Sequence, residues 1–116
     1  MTTTPIPRFY QLVDAGDVAG LVAMFAPDAT YHRPGYPPLH GRPGIEHFYT
    51  HERVISEGRH ALDSVVVTGH EVAVRGSFSG RLRDGSPAAH RFAEFFTLDA
   101  DHRIEHRETF FSAPLV

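Results

Sequence analysis

Cysteine is absent from this 116-residue sequence, which excludes disulfides, thiolate nucleophiles and thiolate-held metals. Lysine is absent too, since all eleven basic residues are arginine. Lysine Schiff bases and covalently held pyridoxal phosphate are therefore excluded. No apolar run approaches the roughly 20 residues that a membrane-spanning helix requires, so no membrane association is expected. No glycine-rich phosphate loop follows a candidate strand, and no serine stands in a nucleophile elbow. Net charge is only −3 with histidine neutral. No basic patch dominates, so nucleic acid is not an expected partner. The opening Met1-Thr-Thr-Thr-Pro5 lacks a basic stretch followed by an apolar one. No export signal is expected on that pattern, and the expected location is cytoplasmic.

What is present suits one globular domain over residues 1–116, with 41% hydrophobic and 22% charged residues. A chain of this size buries roughly 65% of the surface it exposes when unfolded, enough for a core with a pocket. Phe9, Leu12 and Val13 recur at helical spacing and predict a first helix from Pro5 to Ala15, stopped by Gly16. Asp17 suits the cap of a short second helix over Val18 to Phe25. Pro27-Asp28 reads as a turn, and Ala29 to Arg33 as a short strand stopped by Pro34. Residues 34–43 read as a rigid loop, and Pro43 opens a third helix expected to run to about Gly58. From Ala61 the period becomes two. Leu62–Thr68, Val72–Arg81, Ala88–Leu98 and Arg103–Ser112 read as four strands. Gly69-His70, Asp84-Gly85 and Asp99-Ala100-Asp101 have the chemistry of hairpin connections. Helices followed by an antiparallel meander predict an α+β fold: a cone-shaped half-barrel, three N-terminal helices packed on a curved, mostly antiparallel sheet.

Three segments stand in a familiar order: Phe25-Ala-Pro-Asp-Ala-Thr30, then Pro37-Pro-Leu-His-Gly-Arg42 before a helix with Phe48-Tyr49, then Asp101-His-Arg-Ile104 leading to Thr109-Phe-Phe-Ser112. Over about residues 8–112 the chain resembles the nuclear transport factor two-like superfamily, in its ketosteroid isomerase and SnoaL-like branch. The resemblance implies a conical α+β barrel, open at one end, with a pocket between sheet and helices, and a dimer formed through the sheet. It also sets position-by-position expectations. The ketosteroid isomerase base precedes the proline after the first strand, which here is Arg33. The oxyanion-hole tyrosine of the first helix falls on Phe9, and Tyr10, one place over, is expected to point elsewhere. The protonated oxyanion-hole aspartate falls on Glu94, while a pocket tyrosine is kept as Tyr49. The Arg-x-Asp element of limonene epoxide hydrolases falls on Arg75-Gly-Ser77, and their last-strand aspartate on Thr109. The acidic base of SnoaL-like cyclases has Glu105 and Glu108 nearby.

Period two decides which side chains share a face. Glu94 goes with His90, Phe92, Phe96 and Leu98; Phe111 goes with Thr109, Arg107 and Glu105; Arg75 goes with Ala73, Ser77 and Ser79, although Val72, Val74 and Phe78 argue for the opposite phase on that strand. The expected pocket wall is Phe9, Phe25, Tyr31, Tyr49, His90, Phe92, Arg107 and Phe111 as substrate-binding residues. Glu94, Arg33 and Arg75 are the expected catalytic residues. Glu94 carries most weight, because an acid inside Arg91-Phe-Ala-Glu-Phe-Phe96 is either a working group or half of a buried ion pair with Arg75 or Arg107. Arg33 suits an anionic or enolate oxygen. His32 and His60 are candidate bases at the pocket mouth. His47 and His51 lie four apart on a helix, but the pattern lacks the His-Glu-x-x-His form, and no metal is expected.

These features predict a cofactor-free enzyme doing isomerase, cyclase or dehydratase chemistry on a hydrophobic, oxygenated small molecule, and not an ordinary steroid isomerase. A non-catalytic ligand- or partner-binding domain is the alternative, and an epoxide hydrolase-like activity a further one. A homodimer is expected.

Overall fold

The fold is described for residues 3–112 from a computed structural model; Met1 and Thr2, on which the reading of the first residues partly rests, lie outside them. Helix α1 (Ile6–Ala15) buries Ile6, Phe9, Tyr10, Leu12 and Val13 along one face. Gly16 stops it at φ +71°, with its N–H on the Leu12 and Val13 carbonyls. Asp17 then caps α2 (Val18–Ala23), accepting the Gly20 N–H at 2.9 Å. Strand β1 (Phe25–His32) follows at once, and β2 (Leu39–His40) pairs back on it. Gly41 has φ +70°, and a side chain there would press on the Pro27 carbonyl at 3.3 Å. Its neighbour Arg42 donates to the Phe25 and Ala23 carbonyls. The Gly-Arg pair therefore pins the loop against the end of α2.

Helix α3 (Gly41–His47) runs into a π-helical turn (Phe48–Glu52), and there the helical backbone ends, because Arg53 is extended at ψ 125°. The helix expected to reach Gly58 is thus shorter, and β3 (Ile55–Thr68) is longer than the predicted Leu62–Thr68. Residues 55–61 pair along β4, which competes successfully with the helix. Gly58 makes that pairing possible. A Cβ there would lie 2.1 Å from Cζ of Phe78, whose ring crosses the strand.

β4 (Glu71–Leu82), β5 (Pro87–Leu98) and β6 (Ile104–Phe111) complete a meander. In the last connection the Asp99 carboxylate accepts the N–H groups of Asp101 and Arg103, both at 2.9 Å. The strand order is β2-β1-β6-β5-β4-β3. One pair departs from the antiparallel rule: β1 lies parallel to β6. The first strand also starts earlier than expected, at Phe25, which pairs with Ile104. The result is the expected α+β fold, three helices against a curved, mostly antiparallel sheet that does not close. No helix among the described residues is long and apolar enough to cross a membrane.

The phase of each strand is now fixed. Val72, Val74 and Phe78 of β4 face the helices, with Phe92, Glu94, Phe96 and Leu98 of β5. Arg75 is exposed on the opposite face, so the expected pocket position of Arg75 is overturned. Three apolar residues on β4 outweigh one arginine that would have to be buried. In β6 the register slips at Glu105, between the pairs Thr97–His106 and Leu98–Ile104. This bulge leaves Glu105 exposed while Ile104, Arg107 and Thr109 all point inward.

Candidate active site

Register brings the polar core together. Glu94 stands opposite Thr109, and Phe96 opposite Arg107, while β1 places Tyr31 beside Arg107. Glu94 is 1% exposed and Arg107 4%. The Arg107 guanidinium clasps the carboxylate with Nε at 2.7 Å and an Nη at 3.0 Å. Tyr10 donates to it at 2.5 Å, and the Thr109 hydroxyl donates to it as well. Burial raises the Glu94 pKa, but the Arg107 charge and the hydrogen bonds from Arg107, Thr109 and Tyr10 more than offset it. Glu94 is therefore an ionised carboxylate below the usual glutamate range, with four donors on its two oxygens. A carboxylate has about four lone-pair sites, so none is left for a substrate proton. The sequence reading of Tyr10 as pointing elsewhere is corrected: it is buried and bonded to Glu94.

Arg107 sits 4.2 Å from the Tyr31 ring centroid and 4.8 Å from that of Phe9, and its remaining Nη donates to the Tyr49 hydroxyl at 2.8 Å. The hydroxyl protons can be followed one by one. Thr109 gives its proton to Glu94, so Tyr31 gives its own to Thr109 at 3.1 Å and accepts from Arg33 at 3.0 Å. Tyr49 accepts from Arg107 and has no acceptor for its own proton among the described residues.

A second polar pair faces the same space. His60 Nδ1 meets the Asp14 carboxylate at 2.5 Å, and the His60 backbone N–H reaches its other oxygen at 2.9 Å. The ring lies against Tyr10, Phe78 and Phe92. Burial lowers the His60 pKa, while Asp14 works in the opposite direction, and the net shift is downward. His60 is thus a neutral imidazole whose Nδ1 is committed and whose Nε2 has no protein partner among the described residues.

Tyr31, Tyr49, His60, Phe92, Glu94 and Arg107 line one cavity, together with Arg33, Arg53, Phe78, His90 and Phe111. Its free volume is about 20 Å³, room for a single water. Arg33 is part of its wall, its guanidinium 4.6 Å from the Phe48 centroid and 5.6 Å from those of Tyr36 and Phe111. Of the residues expected in the wall, Phe9 and Phe25 are absent. Both are fully buried in the core, stacked edge to face at 5.5 Å. Arg75 is on the outer face. Sequence reasoning missed Asp14, Tyr10 and Arg53. Tyr10 and Asp14 lie four apart on α1, one stripe of that helix, and that spacing was the available signal. Nothing local marks Arg53. No group of three or more His, Asp and Glu among the described residues is placed to hold a metal ion.

An open cone of sheet around a blind polar cavity, roofed by short N-terminal helices, defines the NTF2-like superfamily. Within it the model of the SnoaL-like domain matches residues 6–107, and the chain belongs to that family. Solved structures of the same fold include a ketosteroid isomerase-like protein from Catenulispora acidiphila in complex with trimethylamine, 18% identical with a TM-score of 0.83 over 95% of this chain and 88% of that one. TerC, co-crystallized with polyporic acid, is 23% identical with a TM-score of 0.81 over 92% and 88%. SalBIII, an epoxide hydrolase/cyclase-like enzyme in pyran ring formation in polyether salinomycin, is 19% identical with a TM-score of 0.81 over 92% and 87%. At these identities the likeness is one of fold.

Proposed function

We propose that this chain is a cofactor-free acid–base enzyme acting on a hydrophobic, oxygenated small molecule, with His60 as the base. The observation that carries the reading is the Asp14–His60 pair. Asp14 holds Nδ1–H at 2.5 Å, and Nε2 is the nitrogen left for a substrate. Burial keeps the ring neutral at neutral pH, the state a base requires. Nε2 takes a proton from carbon next to a carbonyl, and the electron pair moves to the carbonyl oxygen. The Tyr49 O–H, polarised by Arg107, donates to that oxygen. Glu94 serves by fixing Arg107, and is a positioning residue, not the base. Return of the proton at another carbon gives isomerisation; loss of a β-oxygen gives dehydration; attack of the enolate on an internal electrophile gives cyclisation.

The epoxide hydrolase alternative loses support, because Arg75 is exposed and Ser77 shares its outward face. The non-catalytic alternative rests on the cavity, whose 20 Å³ admits no organic substrate until its wall moves. The two separate by proton exchange. In D2O with a panel of aryl and cycloalkyl ketones, NMR should detect enzyme-dependent deuterium uptake next to the carbonyl, reduced about a hundredfold in His60→Gln. Uptake equal in His60→Gln, or absent across the panel, would overturn the assignment. The working unit is proposed to be a homodimer through the outer sheet face, where Phe95 and Phe110 are about half exposed with rings 5.9 Å apart.

A further inference from the structure

The charges around the cavity do not balance. Among the described residues three guanidiniums line it, those of Arg33, Arg53 and Arg107, against one lining carboxylate, Glu94. Glu94 is wholly taken up by Arg107, Tyr10 and Thr109. Asp14 is engaged behind His60. No carboxylate among the described residues lies within salt-bridge distance of Arg33 or Arg53. Glu108 borders a hollow on the outer side of Arg33 without reaching it.

Both free cations are held by rings instead. The Arg33 side chain packs against Phe48, Tyr36, Tyr31 and Phe111, and among the described residues makes one hydrogen bond, to the Tyr31 hydroxyl. Its Nε is buried with no partner among the described residues. A buried guanidinium donor left empty is costly, and a native structure keeps one where something else fills it. Arg53 leans on the Tyr49 ring at 5.4 Å and donates no side-chain hydrogen bond to the described residues. It stands in the wall between this cavity and a second hollow of about 350 Å³, to which Val13, Tyr49, Arg53 and Ile55 are common. The positive field is felt by its neighbours: His90 is lowered by burial and by Arg33, and Arg53 by burial and then, against Tyr49, by Arg33 and Arg107. The protein as a whole carries −3, so this positive interior is a local feature of the site.

We infer that the ligand of this cavity is an anion, a small molecule with a flat apolar body bearing a carboxylate or a similarly delocalised oxyanion, bound between Arg33 and Arg53. This deepens the reading of the site as acid–base catalyst and rests on it for the location of the reacting carbon. The rings of Phe78, Phe92 and Phe111 take the apolar body. The anionic group satisfies Arg33 Nε and the Arg53 fork, two donors that planar oxyanions match in geometry. Binding requires the cavity to widen, with Arg33 exchanging part of its packing on aromatic rings for a charge-paired hydrogen bond.

The test is binding without turnover. Cinnamate and cinnamamide have nearly the same shape and differ in charge. Calorimetric titration should show cinnamate saturating at millimolar concentration or below, and binding at least about tenfold tighter than cinnamamide. The preference should shrink with added salt. It should vanish in Arg33→Met/Arg53→Met, with the double variant still folded by circular dichroism. Cinnamamide binding as tightly as cinnamate, no saturable binding of cinnamate, or a preference that survives in the double variant would overturn the inference. Should the double variant fail to fold, the single changes Arg33→Gln and Arg53→Gln replace it, each expected to lose about half the preference on a logarithmic scale. His60→Gln removes the proposed base and should retain the cinnamate preference, so loss of the anion site and loss of the catalytic reading are told apart.

Discussion

Replacing Glu94 by glutamine tests the reading of the buried charge directly. Four donors converge on the two oxygens of this carboxylate: two from Arg107, one from Tyr10 and one from Thr109. Glutamine keeps the shape but offers one acceptor oxygen, and its NH2 adds two donors facing donors. The two hydroxyls can rotate; the guanidinium cannot, and it is 4% exposed with no other anion in contact among the described residues. Breaking one side of a buried ion pair costs about 3–5 kcal/mol. Set against the 5–15 kcal/mol typical of a domain, roughly a third of the stability should go. At about 4 °C per kcal/mol for this size, the melting temperature should fall by about 12–20 °C. Urea unfolding followed by circular dichroism at pH 7 measures the free energy, and calorimetry the temperature. The double change Glu94→Leu/Arg107→Met removes both charges and should come back to within about 2 kcal/mol of the parent. A pH series supplies a control. Glu94 has its pKa lowered on folding, so the unfolded chain takes up its proton first as pH falls. Its contribution is complete above the ordinary glutamate value and is lost as pH falls through the lowered one, so the gap between parent and Glu94→Gln should close in acid. If Glu94→Gln melts within about 3 °C of the parent, the charge is not carrying what the geometry implies.

The histidine makes a second prediction: by NMR, His60 should titrate below the ordinary 6.5, and Asp14→Asn, which removes the partner favouring the cation, should lower it further. Because that pKa is depressed on folding, its contribution to stability is complete above the ordinary histidine value and is lost as pH falls below it. Gly58→Ala should cost about 1–3 kcal/mol in urea unfolding through its collision with the Phe78 ring; an unchanged midpoint would mean that the ring yields freely. Light scattering at micromolar concentration should give twice the 12.9 kDa chain mass, with Phe95→Asp shifting it to the monomer; a monomeric parent refutes the sheet-face dimer. No rapid isomerisation of an unsaturated ketosteroid is expected, since Arg33 stands at the base position and a guanidinium accepts no proton at neutral pH.

Much of the fold was written locally. Gly16, Asp17, Asp84-Gly85 and Asp99 carry their turn and cap chemistry in their own side chains and backbone freedom, so the order of helices and strands is legible from neighbours in sequence. The face shared by His90, Phe92, Glu94, Phe96 and Leu98 follows from period two within one strand, and Glu94 stood out as an acid among aromatics. The expectation that α3 would run to Gly58 failed because a strand partner, β4, lies 25 residues away in places and offers hydrogen bonds that the local pattern does not reveal. On β4 the sequence pitted Arg75 against Val72, Val74 and Phe78, and what the whole sheet buries decided for the apolar three; Glu105 was given the wrong face because a bulge has no local signature in this segment. The site itself belongs to tertiary structure. Asp14 and His60 are 46 residues apart, Tyr10 and Glu94 84, and Tyr49 and Arg107 58. Sequence named most of these side chains; only the packing of α1 across the sheet, and the parallel docking of β1 on β6, decided which protons and charges would meet. A hydrogen bond is made at about 3 Å or not at all, and no periodicity along the chain encodes a distance between segments so far apart.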